Sequence, residues 1–98
     1  MTYGYLATMR TQPDHRDDVV KILVSGADGL RAAGCRQYVV GVSAADPDMI
    51  WVSEVWESKE HHDASLLLPE TRAAISLARP MLTGEFTGQE LTVVGGLM

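Results

Sequence analysis

Cysteine is all but missing from this sequence. Cys35 is the only one, so no intramolecular disulfide can form and no thiolate metal cluster can be assembled within one chain. A reducing, cytoplasmic setting is the expectation. Basic residues are also scarce: 8 stand against 13 acidic ones, for a formal charge of −5, and they are scattered from Arg10 to Arg79. Without a basic cluster, nucleic acid and anionic membrane surfaces are poor candidate partners. Long apolar runs are missing too. Nothing approaches the ~20 apolar residues needed to cross a bilayer, and residues 1–10 show no basic stretch leading into an apolar one. The 98 residues are therefore expected to form one soluble, unprocessed domain, 1–98, short enough to draw extra burial from a partner.

What is present is organised by period. Residues 3–10 combine aromatic and apolar positions and end at Gln12-Pro13-Asp14, which predicts a strand and a turn. From Asp14, Val19, Ile22, Leu23, Gly26, Ala27, Leu30 and Ala33 recur at three- and four-residue steps. That spacing predicts one amphipathic helix ending at Gly34, with Asp17 and Asp18 favoured in its first turns by the helix dipole. Residues 35–44 and 49–57 are rich in β-branched side chains and flank Asp46-Pro47-Asp48, the pattern of an antiparallel hairpin. Ser58 is placed to cap a following helix, and Pro69 suits the first position of another. Along that segment Leu67, Thr71, Ala74, Ile75, Ala78 and Leu82 share one side, Pro80 and Gly84 limit its length, and residues 85–94 read as a closing strand. The order β-α-β-β-α-β is that of an α+β, ferredoxin-like sheet.

Side chains alternate along a strand. In the third strand Ile50, Val52, Glu54 and Trp56 point one way, and Trp51, Ser53 and Val55 the other. In the second, Tyr38, Val40 and Val42 oppose Val39, Gly41 and Ser43. Neither face is plainly built for water, yet two helices cover only one. An uncovered apolar face of several hundred Å² marks an interface or a ligand site. A homodimer would bury it by symmetry, leaving space near the sheet as a candidate pocket.

The stretch Glu54-Val-Trp56-Glu-Ser58-Lys-Glu-His-His62-Asp-Ala-Ser65-Leu, continuing through Pro69-Glu-Thr-Arg72-Ala-Ala-Ile75 to Arg79-Pro80, resembles the antibiotic biosynthesis monooxygenase domain family. The resemblance covers essentially the whole chain. It implies a dimeric α+β barrel and oxidation of a phenolic, quinol or anthrone-like small molecule by molecular oxygen, with no metal, flavin or haem cofactor. Relatives on the same fold degrade haem or isomerise small substrates, so the fold alone does not set the chemistry. The haem-degrading branch resembles a pattern with Asn in the first strand and Ala-His late in the second helix. This sequence has neither feature, which disfavours that branch.

His62, with Ser65 and Leu66 three and four residues on, falls on a helix face expected to point inward. An imidazole ordinarily titrates near neutral pH and can take a proton from a substrate hydroxyl, so His62 is the first choice of catalytic base. The plainer alternative is a buried histidine bonded to backbone or to Ser65. Glu54, a carboxylate in an apolar strand, is the second choice of base. Its alternative is a buried ion pair with Arg10, Arg36 or Arg72. Trp56 offers a flat wall for an aromatic substrate, and Tyr38, Arg72 and Ser65 are further candidate contacts; Tyr3, Tyr5 and Trp51 resemble them. Among His15, His61, His62 and Asp63, adjacent histidines on a helix diverge by about 100°, which leaves only Glu57 with His61 suited to a shared metal. No nucleophile elbow surrounds Ser65, and Gly95-Gly96 lacks the setting of a phosphate loop. Two other readings stay open: an isomerase or cyclase using the same base without oxygen, and a non-catalytic small-molecule-binding dimer.

Overall fold

The computed structural model describes residues 2–97. Its elements are β1 (Tyr3–Thr11), α1 (Arg16–Ser25), α2 (Ala27–Ala32), β2 (Cys35–Val42), β3 (Met49–Trp56), α3 (Lys59–Ser65), α4 (Pro69–Ala78) and β4 (Leu82–Thr92), with a 3₁₀ turn at Arg79–Met81 before the last strand. The four strands form one antiparallel sheet in the order β2-β3-β1-β4. Together with the two helical crossovers this is a ferredoxin-like α+β fold.

The first crossover departs from the single expected helix. It breaks at Gly26 into α1 and α2, because two local effects act at the same turn. Glycine is the poorest non-proline helix former, and the Ser25 hydroxyl donates back to the Ile22 carbonyl at 3.0 Å, a bond that competes with the helical pattern. The expected stop at Gly34 is present, at φ +102°, where a side chain is strained. Ser58 accepts a hydrogen bond from the His61 amide, as a capping serine does. Pro69 opens α4, and β4 begins at Leu82, three residues before the expected Glu85.

The helices pack on the face that carries Ile50, Val52, Glu54 and Trp56. There Val19 of α1 meets Ile50 and Val52, with Met9, Val20, Leu23 and Val40 around them. A second cluster joins Tyr3, Cys35 and Trp56, with Leu30 and Ala33 of the α2 region against it. Each fully buried aliphatic side chain of this kind contributes about 1.5–3 kcal/mol by leaving water. The opposite face has no helix. Val39, Trp51 and Leu91 are about half exposed on it. Among the described residues, no helix is long and apolar enough to cross a membrane.

Candidate active site

The register of β1 against β3 builds the site. Tyr3 lies opposite Trp56 and Tyr5 opposite Glu54, so alternation sends both tyrosines and the indole to the helix-covered face. The short turn after Trp56 brings α3 back over that face, and His62 is the side chain it lowers onto the three rings. Their centroids lie 5.3 Å (Tyr3), 5.1 Å (Tyr5) and 5.7 Å (Trp56) from that of His62, the last edge-on. His62 is only 8% exposed. Its Nδ1 is 3.0 Å from Asp63 Oδ1, which leaves Nε2 as the nitrogen facing away from that carboxylate.

Each ring is held by a second contact. Tyr3 Oη donates to Glu90 Oε2 on β4 at 3.0 Å, and Lys59 Nζ donates to the same oxygen at 2.5 Å. Burial first, and then the Glu90 hydrogen bond, raises the Tyr3 phenol well above its ordinary value. Tyr5 reaches across to β4 at Gly88, where a Cβ would stand 2.0 Å from the Tyr5 hydroxyl. Only glycine leaves room for that ring. Trp56 is 1% exposed, and its Nε1 donates to Glu54 Oε1 at 2.9 Å.

Glu54 therefore has a partner other than an arginine. Arg10 is engaged instead by Asp46 at 2.9 Å and Glu85 at 2.8 Å, while Arg36 and Arg72 make no ion pair among the described residues. Burial raises the Glu54 carboxyl above its usual range; the Trp56 hydrogen bond and the nearby His62 pull it back in part. Tyr38, directly across from Glu54 on β2, is pushed up to about 12, first by burial and then by the Glu54 and Cys35 charges. Glu54 and His62 thus lie near one another among aromatic side chains.

The expected site residues divide accordingly. His62, Glu54, Trp56 and Tyr38 come together on the helix-covered face. Ser65 is buried but gives its hydroxyl to the His62 carbonyl at 2.6 Å, so it fixes the helical turn and does not bond the imidazole. Arg72 is exposed on α4. Leu66, expected inward, is half exposed, because α3 ends at Ser65 and the chain turns away there. His61 meets Glu57 at 3.4 Å, and no group of three or more His, Cys, Asp and Glu converges among the described residues. Asp63 was weighed in the sequence only as a metal ligand, not as the partner of His62, and Gly88 was not singled out. Asp63 sits next to His62 in the chain, but the close approach of β4 at Gly88 has no local signal.

Comparison with known proteins gives a consistent picture. The family model described as antibiotic biosynthesis monooxygenase matches residues 2–77. A crystal structure from Chloroflexus aurantiacus J-10-fl, of a protein named as a candidate antibiotic biosynthesis monooxygenase, is 42% identical. It covers 100% of this chain and 98% of its own, with a TM-score of 0.89. A similarly named protein from Caulobacter crescentus CB15 is 22% identical over 96% of this chain and 91% of its own, with a TM-score of 0.87. Rv0793 from Mycobacterium tuberculosis is 20% identical over 100% of both chains, with a TM-score of 0.84. The last two share the fold. A search of curated proteins finds no match.

Proposed function

Since the chain belongs to the antibiotic biosynthesis monooxygenase family, we propose that it oxidises an electron-rich phenol, hydroquinone or anthrone-like substrate with molecular oxygen, His62 acting as the base. The observation that carries this reading is the imidazole itself. It is nearly buried, backed by Asp63 and enclosed by Tyr3, Tyr5 and Trp56, a setting in which a flat aromatic substrate stacks and water is kept out.

The chemistry needs no metal or organic cofactor. The substrate hydroxyl proton passes to His62, and the resulting anion gives one electron to oxygen far more readily than the neutral phenol does. Coupling of the aryloxyl radical with superoxide forms a C–O bond, and the imidazolium returns its proton to the peroxide. Loss of the remaining proton on that carbon, with cleavage of the O–O bond, leaves a quinone carbonyl and releases water. One phenol and one oxygen molecule thus give one quinone and one water. Glu54, whose carboxyl burial raises above its usual range and whose Oε1 accepts from Trp56, is the second candidate base.

The same proposal pairs two copies through the open sheet face, where Leu6, Val39, Trp51 and Leu91 would interleave about a two-fold axis. The working unit is then a cytoplasmic homodimer forming an α+β barrel.

Oxygen uptake with a panel of hydroquinones and anthrones tests the oxygenase reading. Wild type is expected to consume oxygen and His62→Ala to lose roughly 10²–10⁴-fold of the rate, the ordinary range for a general base. No uptake with any member of the panel overturns the reading. Turnover that continues without oxygen points to an isomerase or cyclase, and unchanged uptake in His62→Ala removes that residue from the mechanism.

A further inference from the structure

A cleft of about 150 Å³ opens at the outer edge of the sheet between α2 and β2, with Asp28, Arg31, Cys35, Arg36, Gln37 and Tyr38 in its wall. It adjoins the site. Cys35 packs with Tyr3 and Trp56, Tyr38 lies against the same cluster, and Tyr38 is the cross-strand partner of Glu54. Two guanidinium groups border it. Arg31 stands in the last turn of α2. Arg36 is the extra residue of a β-bulge, since Cys35 pairs with Trp56 and Gln37 already with Val55. A bulge re-aims the side chain it carries, and bulges recur beside binding sites.

Among the described residues neither arginine makes an ion pair. Asp28, the carboxylate of the same wall, pairs with neither. Arg10 and Arg16, by contrast, are both engaged by protein oxygens. In a chain of formal charge −5, two uncompensated cations beside one cleft are where an anion gains most. A guanidinium fork matches a carboxylate in two parallel hydrogen bonds, which suits it to planar acids.

We propose that this cleft holds the carboxylate of the substrate between Arg31 and Arg36, so that the molecule oxidised at His62 is a hydroxylated aromatic acid. The assignment of a substrate class rests on the oxygenase reading; the cleft as a carboxylate site does not. Titration calorimetry with 6-hydroxy-2-naphthoate and 2-naphthol, on wild type and on the double variant Arg31→Gln/Arg36→Gln, separates the two. Both side chains are exposed and unpaired, so the variant keeps its fold, which circular dichroism checks. Wild type is expected to bind the acid about tenfold tighter than the naphthol, as charge-assisted hydrogen bonds at an accessible site allow. The double variant should lose that preference while its affinity for 2-naphthol stays unchanged. Equal affinity for the two probes in wild type, a preference that survives in the double variant, or binding of neither probe overturns the assignment. If neutral hydroquinones drive oxygen uptake but the acid shows no preference, the cleft assignment alone falls. If no uptake occurs while an Arg31- and Arg36-dependent preference remains, the oxygen chemistry alone falls.

Discussion

Replacing Trp56 by Phe should cost more stability at pH 7 than at pH 4, and the difference should vanish once Glu54 is glutamine. Trp56 is 1% exposed, and its indole N–H is spent on Glu54 Oε1 at 2.9 Å. Phe removes the outer part of the indole at either pH, a packing loss of about 1–2 kcal/mol. It also removes the donor. A hydrogen bond to an ionised group is worth about 1.5–3 kcal/mol, against about 0.5–1.5 kcal/mol to a neutral one. The pH-dependent excess is therefore about 1 kcal/mol, or about 4–8 °C in the thermal midpoint of a domain this size. The direction follows from linkage. Burial lifts the Glu54 carboxyl above the ordinary carboxylate range, so the folded state holds that proton more tightly than the unfolded one does. The stability this confers is complete below the unfolded value and is lost as pH rises through the folded value. The Trp56 bond pulls the folded value down, so losing it raises that value further and deepens the fall toward neutral pH. Thermal unfolding at both pH values, at one fixed protein concentration because any self-association would shift the midpoint, reads the effect. Equal losses at pH 4 and pH 7, or a pH-dependent loss that persists in the Glu54→Gln background, would refute the link between the indole and the carboxylate.

Other substitutions probe the rest of the structure. Gly88→Ala should force the Tyr5 ring away from β4, where the new Cβ would lie 2.0 Å from its hydroxyl; expect a loss of about 1–3 kcal/mol in thermal unfolding and a lower rate of oxygen uptake. Gly34→Ala combines φ +102° with a Cβ 2.7 Å from the His61 ring, and about 1–3 kcal/mol of strain should appear as a reduced midpoint with the active-site rings left in place. Trp51→Glu puts a charge on the open sheet face; sedimentation equilibrium should find dimers for wild type and single chains for the variant. Wild type sedimenting as a single chain at micromolar concentration would exclude the barrel.

The sheet was legible in the sequence because each strand carries its own period. Alternation alone put Ile50, Val52, Glu54 and Trp56 together and Trp51 on the reverse, and Gly34 and Pro69 announced a helix end and a helix start. The break at Gly26 was not legible, since the apolar spacing runs on through it while the Ser25 back-bond that competes with the helix is a matter of side-chain geometry. For the site, local patterning marked His62 and Glu54 as unusual but could not supply their neighbours. Tyr3 meets Trp56 only through strand register, and Glu90 meets Tyr3 across 87 residues. The indole as the partner of Glu54 was missed for a related reason: a search for opposite charge overlooks a neutral donor two residues along the same face.

The hydrogen bond from Tyr3 to Glu90 has a kinetic meaning as well as a structural one. It joins the first strand to the last, so the Tyr3 ring beside the imidazole lacks this anchor until β4 has been added along β1. Pairings so remote in sequence form late and slowly, because a long loop must close before they repay its entropy. A partly folded chain lacking β4 would thus hold the three rings around the imidazole with the Tyr3 hydroxyl unanchored, and that ring gains its fixed position only with the final zipping of the sheet.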